Sequence, residues 1–176
     1  MTFPPPHALY QRILVPVGGG PASERALDAA LRLAAERGAR LRLLHVLKTP
    51  AVSLALDPYS GHVGAWMNEL RRAGQHILDQ AMSLAESRGV GAEPVLREGR
   101  AASLADEVVS EAIRWPADLI VVGVRPGFGF GRFLVGSSIE HMLRESPVPL
   151  LIVPTGRRKP AAAPGATIPS LDQASG

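Results

Sequence analysis

The segment LIVVGVRPGFGFGRFLVGSSIEHMLRESPVPLLIVP, residues 119–154, constrains the fold of this chain more than any other. An apolar run ends at Gly123, glycines follow at 127, 129 and 131, and a helical pattern opens at Gly136-Ser137-Ser138. A second apolar run follows at 150–153. Both apolar runs are short and rich in β-branched residues, so they read as buried strands. A strand that passes through glycines into a helix N-terminus builds an anion site in α/β proteins. Unpaired backbone N–H groups and the positive end of the helix dipole meet there.

The same alternation extends back to residue 11. Residues 13–17 are a predicted strand and 21–37 a predicted helix, with Pro21 suited to the first helical position and Gly38 to the stop. Leu27, Ala30, Leu31 and Ala34 share one face of that helix. A second strand at 41–47 leads through a loop at 49–61 into a long amphipathic helix ending at Ser87, whose buried face is read as Trp66, Leu70, Ile77 and Leu84. A third strand spans 90–96. The next helix, 102–115, opens with Ser103 and Asp106 at capping-box spacing and stops at Pro116. Strands at 119–123 and 150–153 flank a helix ending at Arg144. Strands alternating with helices require right-handed crossovers. The expected fold is a single-domain, open, parallel five-stranded sheet with helices on both faces, Rossmann-like in class. Ligands of such sheets sit beyond the carboxyl ends of the strands, so the loops after strands one and four are the places to look.

Outside that domain, residues 1–10 carry Pro4-Pro5-Pro6 and read as a flexible lead-in, and 155–176 are rich in Pro, Ala, Gly and Ser and read as a disordered tail. The chain of 176 residues suits one domain over 11–154. No apolar run approaches the roughly 20 residues of a membrane helix, and no signal-peptide pattern opens the sequence, so a cytoplasmic location and no membrane partner are expected. The absence of cysteine excludes disulfides, thiolate metal sites and cysteine nucleophiles. The net charge of +3 comes largely from the tail, where Arg157, Arg158 and Lys159 face only Asp172. A nearly neutral body gives no electrostatic case for nucleic acid.

Several signatures are missing. Neither glycine cluster is followed by the lysine of a phosphate-binding P-loop, and G-x-G-x-x-G fails from both Gly127 and Gly129, where Arg132 and Leu134 occupy the third glycine position. The histidines at 7, 45, 62, 76 and 141 lack metal-ligand spacing, so His45 and His141 read as packed or surface residues and no metal site is expected.

The opening YQRILVPVGGGPASERALDAALRLAAERGARLRLLHVL and the closing WPADLIVVGVRPGFGFGRFLVGSSIEHMLRESPVPLLIVP together resemble the universal stress protein family, over about residues 10–154. The resemblance implies strand order 3-2-1-4-5 and a homodimer formed through the fifth strand, here Val148, Leu150, Leu151, Ile152 and Val153. It also implies an adenine-nucleotide site, for ATP or a relative with Mg²⁺. By correspondence that site comprises Pro16, Val17, Gly18, Val46, Gly123, Arg125, Pro126, Gly127, Gly136, Ser137 and Ser138.

Two positions depart from the family pattern. Where the family has a glycine separated by nine residues from the one at Gly136, this chain has Pro126. Proline has no N–H to give a phosphate and fixes φ. Where the family ends its first strand in an aspartate that contacts the nucleoside, this chain has Gly18. Each lost charged hydrogen bond is worth roughly 1.5–3 kcal/mol, about one to two decades of affinity. Against this, Gly127, Gly129 and Gly131 can reroute the backbone, and Arg125 and Arg132 supply charge to an anion.

Simpler roles stand beside these. Ser137 with Glu140 is also a capping box, Gly18-Gly19-Gly20 also makes an ordinary strand-to-helix turn, and Phe128, Phe130 and Phe133 suit packing on the sheet edge or a partner-binding patch. Two functions therefore stand open: a homodimeric stress-response regulator that binds an adenine nucleotide, and a non-nucleotide dimeric scaffold or adaptor of the same fold with a decayed pocket. Slow ATP hydrolysis stands as a third, weaker reading; with no general base placed near the loop, enzyme function is not expected.

Overall fold

The computed structural model describes residues 10–48, 62–99, 103–125 and 137–155. The expected lead-in, the 49–61 loop, the glycine loop at 126–136 with its three phenylalanines, and nearly all of the tail lie outside them. Five strands form one parallel sheet: β1 (Arg12–Pro16), β2 (Arg40–Lys48), β3 (Ala92–Gly99), β4 (Leu119–Val124) and β5 (Leu150–Pro154). Their order is β3-β2-β1-β4-β5. The helices are α1 (Pro21–Arg37), α2 (His62–Ser87), α3 (Leu104–Arg114) and α4 (Ser137–Glu145). The fold and strand order follow the expectation from sequence, with element ends moved by one to three residues.

Successive strand residues point to opposite faces, and the two faces carry separate cores. Ile13, Val15, Leu41, Leu43, Leu119 and Val121 pack against α1 and α2. Leu14, Leu44, Ile120 and Val122 pack against α3 and α4. Strands covered on both faces read as continuous apolar runs, which is why the sequence located them.

The buried face of α2 differs from the sequence reading. Gly74, Leu78, Ala81 and Ala85 are buried, Leu70, Ile77 and Leu84 are half-buried, and Trp66 is 37% exposed.

One charged side chain enters the second core. Glu111 of α3 is fully buried and accepts hydrogen bonds from Arg42 of β2 at 2.8 Å and from Arg97 of β3 at 2.6 and 2.9 Å. Arg42 also reaches Glu93 at 2.8 Å and lies over the Trp115 ring. A buried carboxylate persists only when paired in this way.

The helix ends use local chemistry. Gly38 closes α1 in the left-handed conformation with φ 64°. Ser103 and Asp106 form the expected capping box at the start of α3.

Candidate functional site

The switch point lies between β1 and β4, the neighbouring strands whose crossovers leave in opposite directions. The ladder between them pairs only Ile13 with Leu119 and Leu14 with Ile120. Proline explains the early stop. The Val17 N–H donates to Leu44 O on the β2 side at 2.8 Å. N–H groups alternate sides along a strand, so the one that Pro16 lacks would have faced β4. The strands part there and open a cavity of about 500 Å³, within the range of small-ligand sites.

Six residues expected from sequence meet at this cavity: Pro16, Val17 and Gly18 after β1, Val46 on β2, and Gly123 and Arg125 at the end of β4. Pro126, Gly127 and Gly136 lie outside the described residues, as do the Ser137 side chain and its expected pairing with Glu140. Ser138 is half-buried in the first turn of α4 and is not part of the cavity lining.

The sequence reading missed the far wall and two polar residues. Leu70, Ala73, Gly74 and Ile77 of α2 close one side, and Leu104 of α3 contributes to the other. No sequence spacing announces this wall, because α2 is brought there by the crossover between β2 and β3. Ser23 and His45 also line the cavity. Together they clamp the peptide between Val17 and Gly18. His45 Nδ1 donates to the Val17 carbonyl at 2.7 Å, and the Gly18 N–H donates to Ser23 Oγ at 2.8 Å. A carbonyl only accepts, so Nδ1 carries the proton. The sequence signal is a histidine next to Val46 within the apolar run of β2, which by spacing alone reads as a packed or surface residue.

The glycines of the site differ in what requires them. A Cβ on Gly123 would overlap the carbonyl of Ala22 in α1, so this glycine lets helix and strand touch. At Gly18 a Cβ would meet nothing within 4 Å, and the backbone is not left-handed. Its lack of a side chain leaves space in the cavity rather than relieving a clash.

Among the described lining residues, Arg125 alone carries a fixed charge, and its Nη2 lies 3.3 Å from the place of a Cβ on Gly20. The guanidinium therefore stands beside the turn into α1. The remaining walls are mostly apolar. No group of three or more metal-ligating side chains occurs among the described residues.

On the surface, His141 of α4 pairs with Asp106 of α3, Nε2 to Oδ1 at 2.8 Å. The histidine read as a packing or surface residue thus ties the helix after the glycine loop to the cap of α3. No helix among the described residues is long and apolar enough to cross a membrane.

Comparison with known proteins agrees with this architecture. The universal stress protein family matches residues 9–154. Universal stress protein YxiE of Bacillus subtilis is 33% identical over 150 residues, covering 82% of this chain and 99% of the relative. A solved universal stress protein from Burkholderia pseudomallei shares 31% identity with a TM-score of 0.65, covering 86% of this chain and 99% of its own. Another, solved in complex with cAMP, shares 26% identity with a TM-score of 0.58, covering 85% of this chain and all of its own. The chain belongs to the universal stress protein family, and with it to the stress-response proteins.

Proposed function

We propose that this protein is a homodimeric stress-response regulator that binds an adenine nucleotide in the cavity between β1 and β4. The observation that carries the proposal is the cavity itself: apolar walls of the size for a nucleoside, with one guanidinium at the turn into α1. A relative of 26% identity binds cAMP, which supports an adenine ligand here. The phosphate end lies toward Arg125, and any Mg²⁺ arrives on the nucleotide's own phosphates, since the described lining holds no carboxylate. The role is binding rather than turnover, in the cytoplasm, with the nucleotide changing which partner the dimer accepts.

The dimer forms through β5. This strand ends the sheet, and Leu150 and Ile152 pack inward while Leu151 is 40% exposed. An open apolar edge calls for a partner, and a second copy of the same strand supplies one symmetrically.

A second reading, a dimeric scaffold without a nucleotide, draws on a specific observation. Contact with Ala22 already accounts for Gly123, and Gly18 offers a nucleoside no side chain.

Thermal unfolding with ATP, AMP or cAMP at millimolar concentration, with and without Mg²⁺, separates the two. A ligand at 100 times its Kd adds about 2.7 kcal/mol of stability and raises the midpoint. If every nucleotide leaves the midpoint unmoved, the scaffold reading stands alone.

A further inference from the structure

We infer that His45 reads the base of the bound nucleotide, its Nε2 accepting a hydrogen bond from an amino group on the ring. The inference rests on the nucleotide reading above and goes beyond it in naming the group that selects the base.

The clamp on the Val17–Gly18 peptide sets the tautomer. Nδ1 holds its proton against the Val17 carbonyl at 2.7 Å, so the neutral ring presents a lone pair at Nε2. That nitrogen has no partner among the described residues and is not sealed from solvent, since Arg42 Nε is the buried side-chain atom left unpaired there. The ring lines the cavity.

The polarity of the cavity gives a ligand its direction. Arg125 stands at the turn into α1 and takes the anionic end. Leu47 of β2 and Leu70 and Ala73 of α2 line the cavity on the face of the sheet that α2 covers and suit a flat ring, while Val46 packs on the opposite face. The His45 ring lies on the face that α2 covers, beside Leu47 and Gly74. A Cβ on Gly74 of α2 would lie only 2.8 Å from His45 Cδ2, so helix and imidazole are in close contact. Among the described lining residues, His45 and Ser23 carry the uncharged polar side chains.

Adenine offers a 6-amino donor to Nε2. Hypoxanthine carries an oxygen at that position and would set two acceptors against each other. Reversing the tautomer would break the bond to Val17. A site built around one hydrogen bond rejects the analogue that cannot make it more strongly than an apolar pocket does.

Calorimetric titration of the full chain with AMP and IMP tests the inference, using wild type and His45→Asn. The asparagine amide can still donate to the Val17 carbonyl but has no counterpart of Nε2. The wild type is expected to bind AMP about tenfold tighter than IMP, and His45→Asn to bind the two alike. Equal binding by the wild type, or an undiminished preference in His45→Asn, overturns the inference while nucleotide binding stands. Binding of neither ligand removes the nucleotide reading and this inference with it. If His45→Asn does not fold, ¹⁵N spectra of the wild-type histidines decide: the His45 Nε2 resonance should move with AMP and not with IMP, and an unmoved signal under saturating AMP overturns the inference.

Discussion

Gly123 at the end of β4 lies directly against the backbone of Ala22 in the first turn of α1, leaving no room for a Cβ. The glycine that family resemblance assigns to a nucleotide site is thus a packing residue in its own right. It lets α1 descend onto the sheet beside the cavity. Gly123→Ala should destabilise the fold by at least the ~1–3 kcal/mol typical of overpacking, because backbone rather than a pliable side chain must move. Gly18→Ala, in open space, should change stability by less than about 1 kcal/mol, with a gain from the stiffer unfolded chain. Urea midpoints of the two variants check this; equal losses would contradict it.

Glu111 should be the most sensitive charged residue. Removing its carboxylate leaves Arg42, only 17% exposed in its side chain, without one of its two carboxylate partners. Glu111→Ala is expected to cost about 3–5 kcal/mol, as for other broken buried ion pairs. A loss below 1 kcal/mol by chemical denaturation would show that the arginines find other partners.

Asp106 gives the protein an acid-sensitive contact. Hydrogen bonds from the Ser103 hydroxyl and backbone N–H, aided by His141, lower its pKa below the ordinary aspartate value of 3.8. A carboxyl with a depressed native pKa stabilises the fold above its unfolded value and loses that contribution as pH falls through the native one. The stability gap between wild type and Asp106→Asn should therefore be constant near neutrality and shrink below about pH 4. A gap that does not change with pH would refute the linkage.

Leu151 tests the dimer. Its side chain is 40% exposed on an edge strand, so Leu151→Lys adds a charge without opening the core. Size-exclusion chromatography with light scattering should show monomers for this variant and dimers for wild type. A dimer of undiminished strength in the variant would place the interface elsewhere.

The sequence alone determined the alternation of strands and helices, because a parallel sheet buried on both faces writes each strand as an apolar run. It also determined the Ser103–Asp106 cap and the stop at Gly38, since caps are local chemistry. The strand order came from family resemblance and the structure has the same order. Other features depend on which residues become neighbours across long stretches of chain. Trp66 fits a helical stripe, yet it is 37% exposed. Arg42 and Glu111 pair across 69 positions, and His45 and Val17 across 28. Hydrophobic period is a property of one segment, and it says nothing about which polar group another segment will bring within 3 Å. The tertiary structure therefore decided the far wall of the cavity, the clamp on the Val17–Gly18 peptide and the packing role of Gly123. Each arises where separate elements meet.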